Sequence, residues 1–142
     1  MKERFHFSPH TADILVKIYG GSLKELFASA ALAMFSRMVE KKKNRPGAVL
    51  KEISIALDEE EAEGLLQSWL SELLFLYETK GFVLSRIKSL EFDDMSLRAR
   101  VLFDIFDEAY YQRKDEIKAV TYHELKVEKT RKGWKGEVIF DV

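Results

Sequence analysis

Apolar residues recur at intervals of three and four in two long stretches of the chain, which predicts two helices that each bury one face. The first helix follows Ser22, where a serine and a glutamate three positions later have the spacing of a capping box. The second begins in the acidic run after Asp58, with Asp58 as its cap, and stops at Gly81. The predicted buried positions are Leu23, Leu26, Phe27, Ala30, Ala31, Met34, Phe35 and Met38 in the first helix, and Ala62, Leu65, Leu66, Trp69, Leu70, Leu73, Leu74 and Tyr77 in the second.

Elsewhere the apolar positions alternate with a period of two, as in half-buried strands. The predicted strands lie within residues 5–7, 14–19, 50–57, 82–92, 97–103, 117–127 and 134–142. Asp93-Asp94 reads as a hairpin turn, and residues 104–116 have no clean period, which is typical of a loop or an irregular edge. We therefore predict an α+β fold with two long helices packed on a largely antiparallel or mixed β-sheet, forming a two-layer single domain over residues 1–142.

The segment 117–127 combines strand alternation with unusual polar residues. On an extended chain, one nearly apolar face carries Ile117, Ala119, Thr121, His123, Leu125 and Val127, and the other carries Lys118, Val120, Tyr122, Glu124 and Lys126. One interpretation is a core strand in which His123 makes a structural hydrogen bond. The other is a working surface on which Lys118, Tyr122 and His123 are the polar groups.

Composition narrows the function without assigning one. The 142 residues are 46% hydrophobic and 33% charged, as in ordinary globular proteins, and a net charge of -1 gives no global argument for binding nucleic acid or an anionic membrane. The absence of cysteine excludes disulfides, thiolate nucleophiles and thiolate metal sites. No signal peptide and no apolar run of about 18 residues is recognisable, so a cytoplasmic location is expected. The P-loop, the dinucleotide fingerprint and the G-x-S-x-G motif are also absent from the sequence.

Two groups of basic residues are the local candidates for contact with RNA. Lys41–Lys43 and Arg45 lie in a charged connector that ends in a Pro-Gly turn, and Arg98 and Arg100 alternate with apolar residues of a predicted strand. Both arrangements are more typical of a solvated surface, and direct phosphate contact is the alternative interpretation.

The end of the chain places the Asp141 carboxylate beside the terminal carboxylate of Val142. If the segment after Asp13 pairs antiparallel with the last strand, Asp13, Asp141 and Val142 converge; otherwise they are three separate solvated acids. An all-oxygen cluster favours calcium, magnesium or manganese over zinc. His10 and His123 with Asp13 are a second metal-site candidate, although an isolated histidine is more often a structural hydrogen-bonding group.

Four motifs together resemble the archease family. They are His10-Thr11-Ala12-Asp13, the segment from Trp69 to Phe75, the run Ile117-Lys118-Ala119-Val120-Thr121-Tyr122-His123 and the ending Val138-Ile139-Phe140-Asp141-Val142, and they are distributed over essentially the full length. The resemblance implies a small α+β protein that activates an RtcB-type tRNA ligase, promoting guanylylation of the ligase histidine and repeated turnover in tRNA splicing and RNA repair. Such a protein is an activator and not itself the ligase, and it contacts tRNA indirectly, through the ligase.

The resemblance also assigns residues. A divalent-ion site, with calcium as the expected ion and magnesium or manganese as alternatives, falls on Asp13, Asp141 and Val142. Lys118 matches a position implicated in activity, while Tyr122, His123 and His10 are further candidates without an assigned role. Pro9 stands where many members have an acidic residue, and residues 103–108 lack the family's common Gly-Glu pattern. A tRNA-binding or chaperone module that does not activate the ligase is the alternative function.

Overall fold

The computed structural model describes residues 3–9 and 13–142, which form two helices and nine strands. The helices are α1, Leu23–Met38, and α2, Ala62–Lys80. The strands are β1, Phe5–Pro9; β2, Asp13–Gly20; β3, Val39–Lys41; β4, Lys51–Asp58; β5, Phe82–Asp93; β6, Ser96–Ile105; β7, Tyr111–Arg113; β8, Ala119–Thr130; and β9, Gly133–Asp141.

The predicted helix signals operate at the start of α1 and at the end of α2. The Glu25 N–H donates to the Ser22 hydroxyl at 3.2 Å, and the Glu25 carboxylate accepts from the Gly21 N–H at 2.6 Å. Gly81 ends α2 with a φ of 68°, in the left-handed region that glycine adopts without strain. The predicted Ser22 cap and glycine stop are thus confirmed, and the Glu25 carboxylate binds the N–H of the residue before the cap, not that of Ser22 itself.

The predicted start of α2 at Asp58 is wrong. Asp58 is the last residue of β4, where it lies opposite Ser96 of β6 and its carboxylate accepts a hydrogen bond from the Ser96 hydroxyl. Glu61 occupies the N-cap position, and its side chain makes no capping hydrogen bond. The pairing of β4 with β6 therefore places Asp58 in a strand, although the local sequence favours a helix cap.

The strands form three antiparallel sheets. Their orders are β1-β2-β9-β8, β4-β6-β5 and β3-β7. The hairpin predicted at Asp93-Asp94 is present, with Asp94 at a φ of 54° in the turn between β5 and β6. Within the segment predicted to be a loop or an irregular edge, Tyr111–Arg113 pairs with β3. The predicted α+β fold of two long helices on antiparallel sheets is confirmed.

Both helices contact the two larger sheets. α1 packs on β2 and β9 of one sheet and on β5 of the other, while α2 packs on β8 and on all three strands of the second sheet. Trp69 of α2 is fully buried and donates its indole N–H to the Phe27 carbonyl of α1 at 3.0 Å. The helices therefore bury a wide arc of their surface. Within the described part of the chain, neither helix is long and apolar enough to cross a membrane.

β8 lacks the single core face predicted for segment 117–127. Thr121 lies opposite Ile139 and Lys126 lies opposite Glu137, so five steps along β8 correspond to two along β9. Residues 122–125 thus lie opposite the single residue Val138, an insertion of three residues. We call residues 122–125 the β8 bulge. Because an odd number of residues is inserted, the side-chain phase reverses across it. Val120 and Val127 are therefore both buried, and the predicted core positions Ala119 and His123 are exposed.

Candidate functional site

The pairing of β2 with β9 brings Asp13 and Asp141 together at one end of the four-stranded sheet. Asp13 lies directly opposite Asp141, as the sequence predicts for an antiparallel pair of these strands. Residues paired in this way have Cα atoms about 4.5–5.5 Å apart and side chains on the same face. On the other side of Asp141, Ala119 of β8 is its partner. We call this region the acidic sheet end.

The donor set of the acidic sheet end suits a hard cation. Carboxylates about 4 Å apart repel by roughly 4 kcal/mol at an effective dielectric of 20, and a divalent cation converts that repulsion into attraction. Oxygen donors favour calcium, magnesium or manganese. Within residues 3–9 and 13–142, no group of three histidine, cysteine, aspartate or glutamate residues is placed to hold a metal. A metal site here would need a further donor besides Asp13 and Asp141, and the sequence predicts the carboxylate of Val142, which follows Asp141 directly.

Lys118 is anchored to the same end of the sheet through its backbone. Its N–H donates to the Asp141 carbonyl at 2.7 Å, which extends the β8–β9 pairing one residue beyond the strand. The preceding Ile117 is buried in the hydrophobic core, with 2% of its surface exposed. The Lys118 residue itself is exposed. The main chain of this lysine is therefore fixed beside Asp141 in an exposed residue.

The β8 bulge carries the other predicted residues of this strand. Tyr122 is 62% exposed and His123 is exposed as well. Glu124 has a φ of 54°, a left-handed conformation that is uncommon for residues other than glycine. The interpretation of His123 as a core residue is thus wrong, and Tyr122 and His123 lie on a surface.

Two side chains of α2 hold the β8 bulge at its two ends. Gln67 donates its amide N–H to the Val120 carbonyl at 3.0 Å, just before the bulge. The Glu63 carboxylate accepts from the Val127 N–H at 3.2 Å, just after it. The sequence interpretation missed both residues. Their only signal is the i, i+4 spacing of two polar residues on a helix that is otherwise rich in buried leucine.

His10 lies outside the described residues. The predicted site of His10, Asp13 and His123 therefore stays a prediction. Of the other two residues, His123 lies in the β8 bulge and Asp13 is the first residue of β2.

In the basic connector, the side chain of Arg45 has a clear structural role. The Arg45 guanidinium donates to the Ile105 carbonyl at 2.7 Å and lies 3.4 Å from carboxylate oxygens of Asp104 and Asp107. It also packs over the Tyr110 ring, 4.6 Å from the centroid. Arg45 therefore joins the connector to the end of β6 and to the segment that follows it.

Asp104 is a buried acid at the centre of this arrangement. Burial alone raises the pKa of the Asp104 carboxyl, but hydrogen bonds from the Tyr111 hydroxyl and the Ile105 N–H, with the charge of Arg45, hold that pKa below its ordinary value. Burial and the Asp104 carboxylate together raise the pKa of Tyr111 to about 12. The network keeps one acid charged and one phenol neutral inside the fold.

Arg98 and Arg100 lie on the exposed face of the β4-β6-β5 sheet. With Lys88 they line a groove of about 590 Å³ that also includes Ser54 and Glu91. The exposed strand face predicted for Arg98 and Arg100 is therefore confirmed.

The fold defines a class of small α+β protein. In it, two facing aspartates, Asp13 and Asp141, lie beside the irregular edge strand β8. The model of the archease protein family (MTH1598/TM1083) matches residues 5–142. The chain belongs to this family.

Individual relatives give the same assignment. Protein archease of Methanosarcina acetivorans is 37% identical over 99% of this chain and 97% of its own length. Protein archease of Thermococcus kodakarensis is 36% identical, with 100% of both chains covered.

Two solved structures share the fold. The solution structure of Methanobacterium thermoautotrophicum protein 1598 is 31% identical, has a TM-score of 0.76 and aligns with 98% of this chain and 99% of its own. The crystal structure of a Thermotoga maritima archease, described as a possible chaperone, is 27% identical, has a TM-score of 0.65 and aligns with 94% of this chain and 93% of its own.

Proposed function

We propose that this archease is a metal-dependent activator of an RtcB-type tRNA ligase, promoting guanylylation of the ligase and its repeated turnover in tRNA splicing and RNA repair. Family membership supports this class of activity. The observation that carries the proposal for this chain is the direct cross-strand pairing of Asp13 with Asp141. Like charges directly opposite each other destabilise a sheet, and a divalent cation bound between the two carboxylates would offset that repulsion.

Asp13, Asp141 and the Val142 carboxylate would hold a divalent cation, with calcium preferred. When bound, the cation supplies positive charge that can neutralise phosphate oxygens. The protein orients the two aspartates through the sheet register and fixes the Lys118 main chain on the Asp141 carbonyl. The exposed ammonium of Lys118 then binds the anionic nucleotide of the ligase.

The β8 bulge supplies the contact surface for the ligase. Tyr122 and His123 are exposed on it, and Gln67 and Glu63 fix its two ends to α2. A backbone held in this way loses little conformational entropy on docking, which favours binding.

The test is GMP transfer to a cognate ligase in the presence and absence of this protein. We expect wild type to accelerate transfer, and folded Asp13→Asn and Lys118→Ala variants to lose at least tenfold of the acceleration. Lys129→Ala is the matched control, since Lys129 is an exposed lysine at the far end of the same strand. An unchanged transfer rate with wild type would reject ligase activation for that pair.

Direct RNA binding is a second candidate function, favoured by the groove that contains Arg98, Arg100 and Lys88. Phosphate binding by this groove predicts a steep fall of tRNA affinity with salt, and a shallower slope for Arg98→Ala with Arg100→Ala. Ligase activation without measurable tRNA affinity would exclude this candidate.

A further inference from the structure

A cavity of about 930 Å³ lies at the opposite end of the four-stranded sheet from the acidic sheet end. Gly20 of β2 and Trp134 of β9 are register partners there, seven positions along β2 from Asp13. At a rise of roughly 3.3 Å per residue, the two ends are about 23 Å apart. The cavity is therefore separate from the candidate metal site.

The close approach of two turns shapes this cavity. Gly133, at a φ of 140°, has no room for a side chain, since a Cβ there would overlap the Gly20 carbonyl oxygen and lie 2.8 Å from the Gly21 Cα. The β8–β9 turn therefore packs directly on the turn between β2 and α1. Arg131 and Lys132 of the β8–β9 turn line the cavity, together with Arg4 near β1.

The charge of the lining is positive. Arg4, Arg131, Lys132 and Lys135 line the cavity, against two glutamates. Both glutamates have neighbours of their own: the Glu25 carboxylate accepts from the Gly21 N–H, and that of Glu3 lies 3.3 Å from the His6 ring. An anionic ligand therefore meets an excess of cationic groups.

The lining also offers an aromatic surface. Trp134 is half-buried and lines the cavity, and Tyr19 contributes to the same wall. Aromatic side chains beside a cationic groove are the combination that binds nucleotides, because the base stacks on the ring while the cations hold the phosphate. The volume lies within the usual range for ligand pockets, about 300–1,000 Å³.

We propose that this cavity binds a single nucleotide unit, with its base on Trp134 and its phosphate on Arg131 and Lys132. The unit is either a free nucleotide or the end of an RNA strand, since both have the same ring and phosphate. The proposal does not depend on ligase activation or on a metal ion.

Tryptophan fluorescence provides the test, because the second tryptophan, Trp69, is fully buried in the core. We expect AMP to change the emission saturably, whereas adenosine and inorganic phosphate alone bind at least about tenfold more weakly. Trp134→Phe keeps an aromatic ring and should abolish the signal. A 5′-phosphorylated tetraribonucleotide distinguishes the sources: tighter binding than AMP indicates a strand end, and equal binding indicates a free nucleotide.

Variants at the turn keep the test independent of folding. Arg131→Ala with Lys132→Ala changes two exposed side chains and should weaken AMP binding about tenfold or more. Lys24→Ala, an exposed lysine of α1 outside the cavity, is the matched control and should bind as wild type does. The proposal is overturned if neither AMP nor the oligonucleotide saturates, if adenosine or inorganic phosphate binds as tightly as AMP, or if the double variant is unaffected.

Discussion

The hydrogen bonds between α2 and the β8 bulge can be tested directly, because they hold the segment that exposes Tyr122 and His123. Glu63 accepts the Val127 N–H at 3.2 Å, and Gln67 donates to the Val120 carbonyl at 3.0 Å. A hydrogen bond to a charged group contributes about 1.5–3 kcal/mol, and a neutral one about 0.5–1.5 kcal/mol. Truncating Glu63 should therefore destabilise the bulge more than truncating Gln67.

Amide hydrogen exchange at Val127 measures the first of these bonds directly. Glu63→Ala leaves the Val127 N–H without its acceptor, so its exchange should accelerate at least about tenfold, since 1.4 kcal/mol corresponds to a factor of ten. Gln67→Leu should lower the free energy of unfolding by about 1 kcal/mol, because the Val120 carbonyl loses its donor.

Ser68→Ala is the control for both variants. The Ser68 hydroxyl bonds to Glu59 at 3.1 Å, so its loss removes a hydrogen bond from α2 without touching β8. If Val127 exchanges at the wild-type rate in Glu63→Ala, or if Ser68→Ala has the same effect, the two α2 side chains do not hold the bulge.

Two further predictions concern stability. Tyr111→Phe should destabilise the protein by about 1 kcal/mol at neutral pH. Because the folded pKa of about 12 exceeds the ordinary value of 10.0, wild-type stability should also fall as pH rises through this interval, and this fall should be smaller in the variant. Gly133→Ala should lower the free energy of unfolding about 2 kcal/mol more than Gly47→Ala, because Gly47 has a φ of 64° but open space around it. Equal losses at the two glycines in chemical denaturation would contradict the close approach of the turns.

Elements with strong local signals were predictable from the sequence. The α1 stripe follows a capping box, and the α2 stripe ends in a glycine that adopts the left-handed conformation. The pairing of Asp13 with Asp141 was also predictable, because the antiparallel pairing of β2 with β9 places the start of one strand opposite the end of the other.

Features decided by long-range pairing were not predictable. Alternation cannot reveal the β8 bulge, since inserted residues change the phase without changing composition, and Val120 was therefore placed on the wrong face. Asp58 has the properties of a helix cap, but its pairing with Ser96 depends on a strand about forty residues away. The cavity at Trp134 depends on two distant turns that meet through glycine.

Calorimetric titration with calcium tests the central claim most directly, namely that Asp13 and Asp141 hold a divalent cation. Wild type should bind one ion saturably, and Asp13→Asn and Asp141→Asn should each weaken binding at least tenfold. Asp94→Asn, in the β5–β6 turn, should bind as wild type does. Calcium binding that is unchanged in both variants, or no binding of calcium, magnesium or manganese by wild type, would contradict the account.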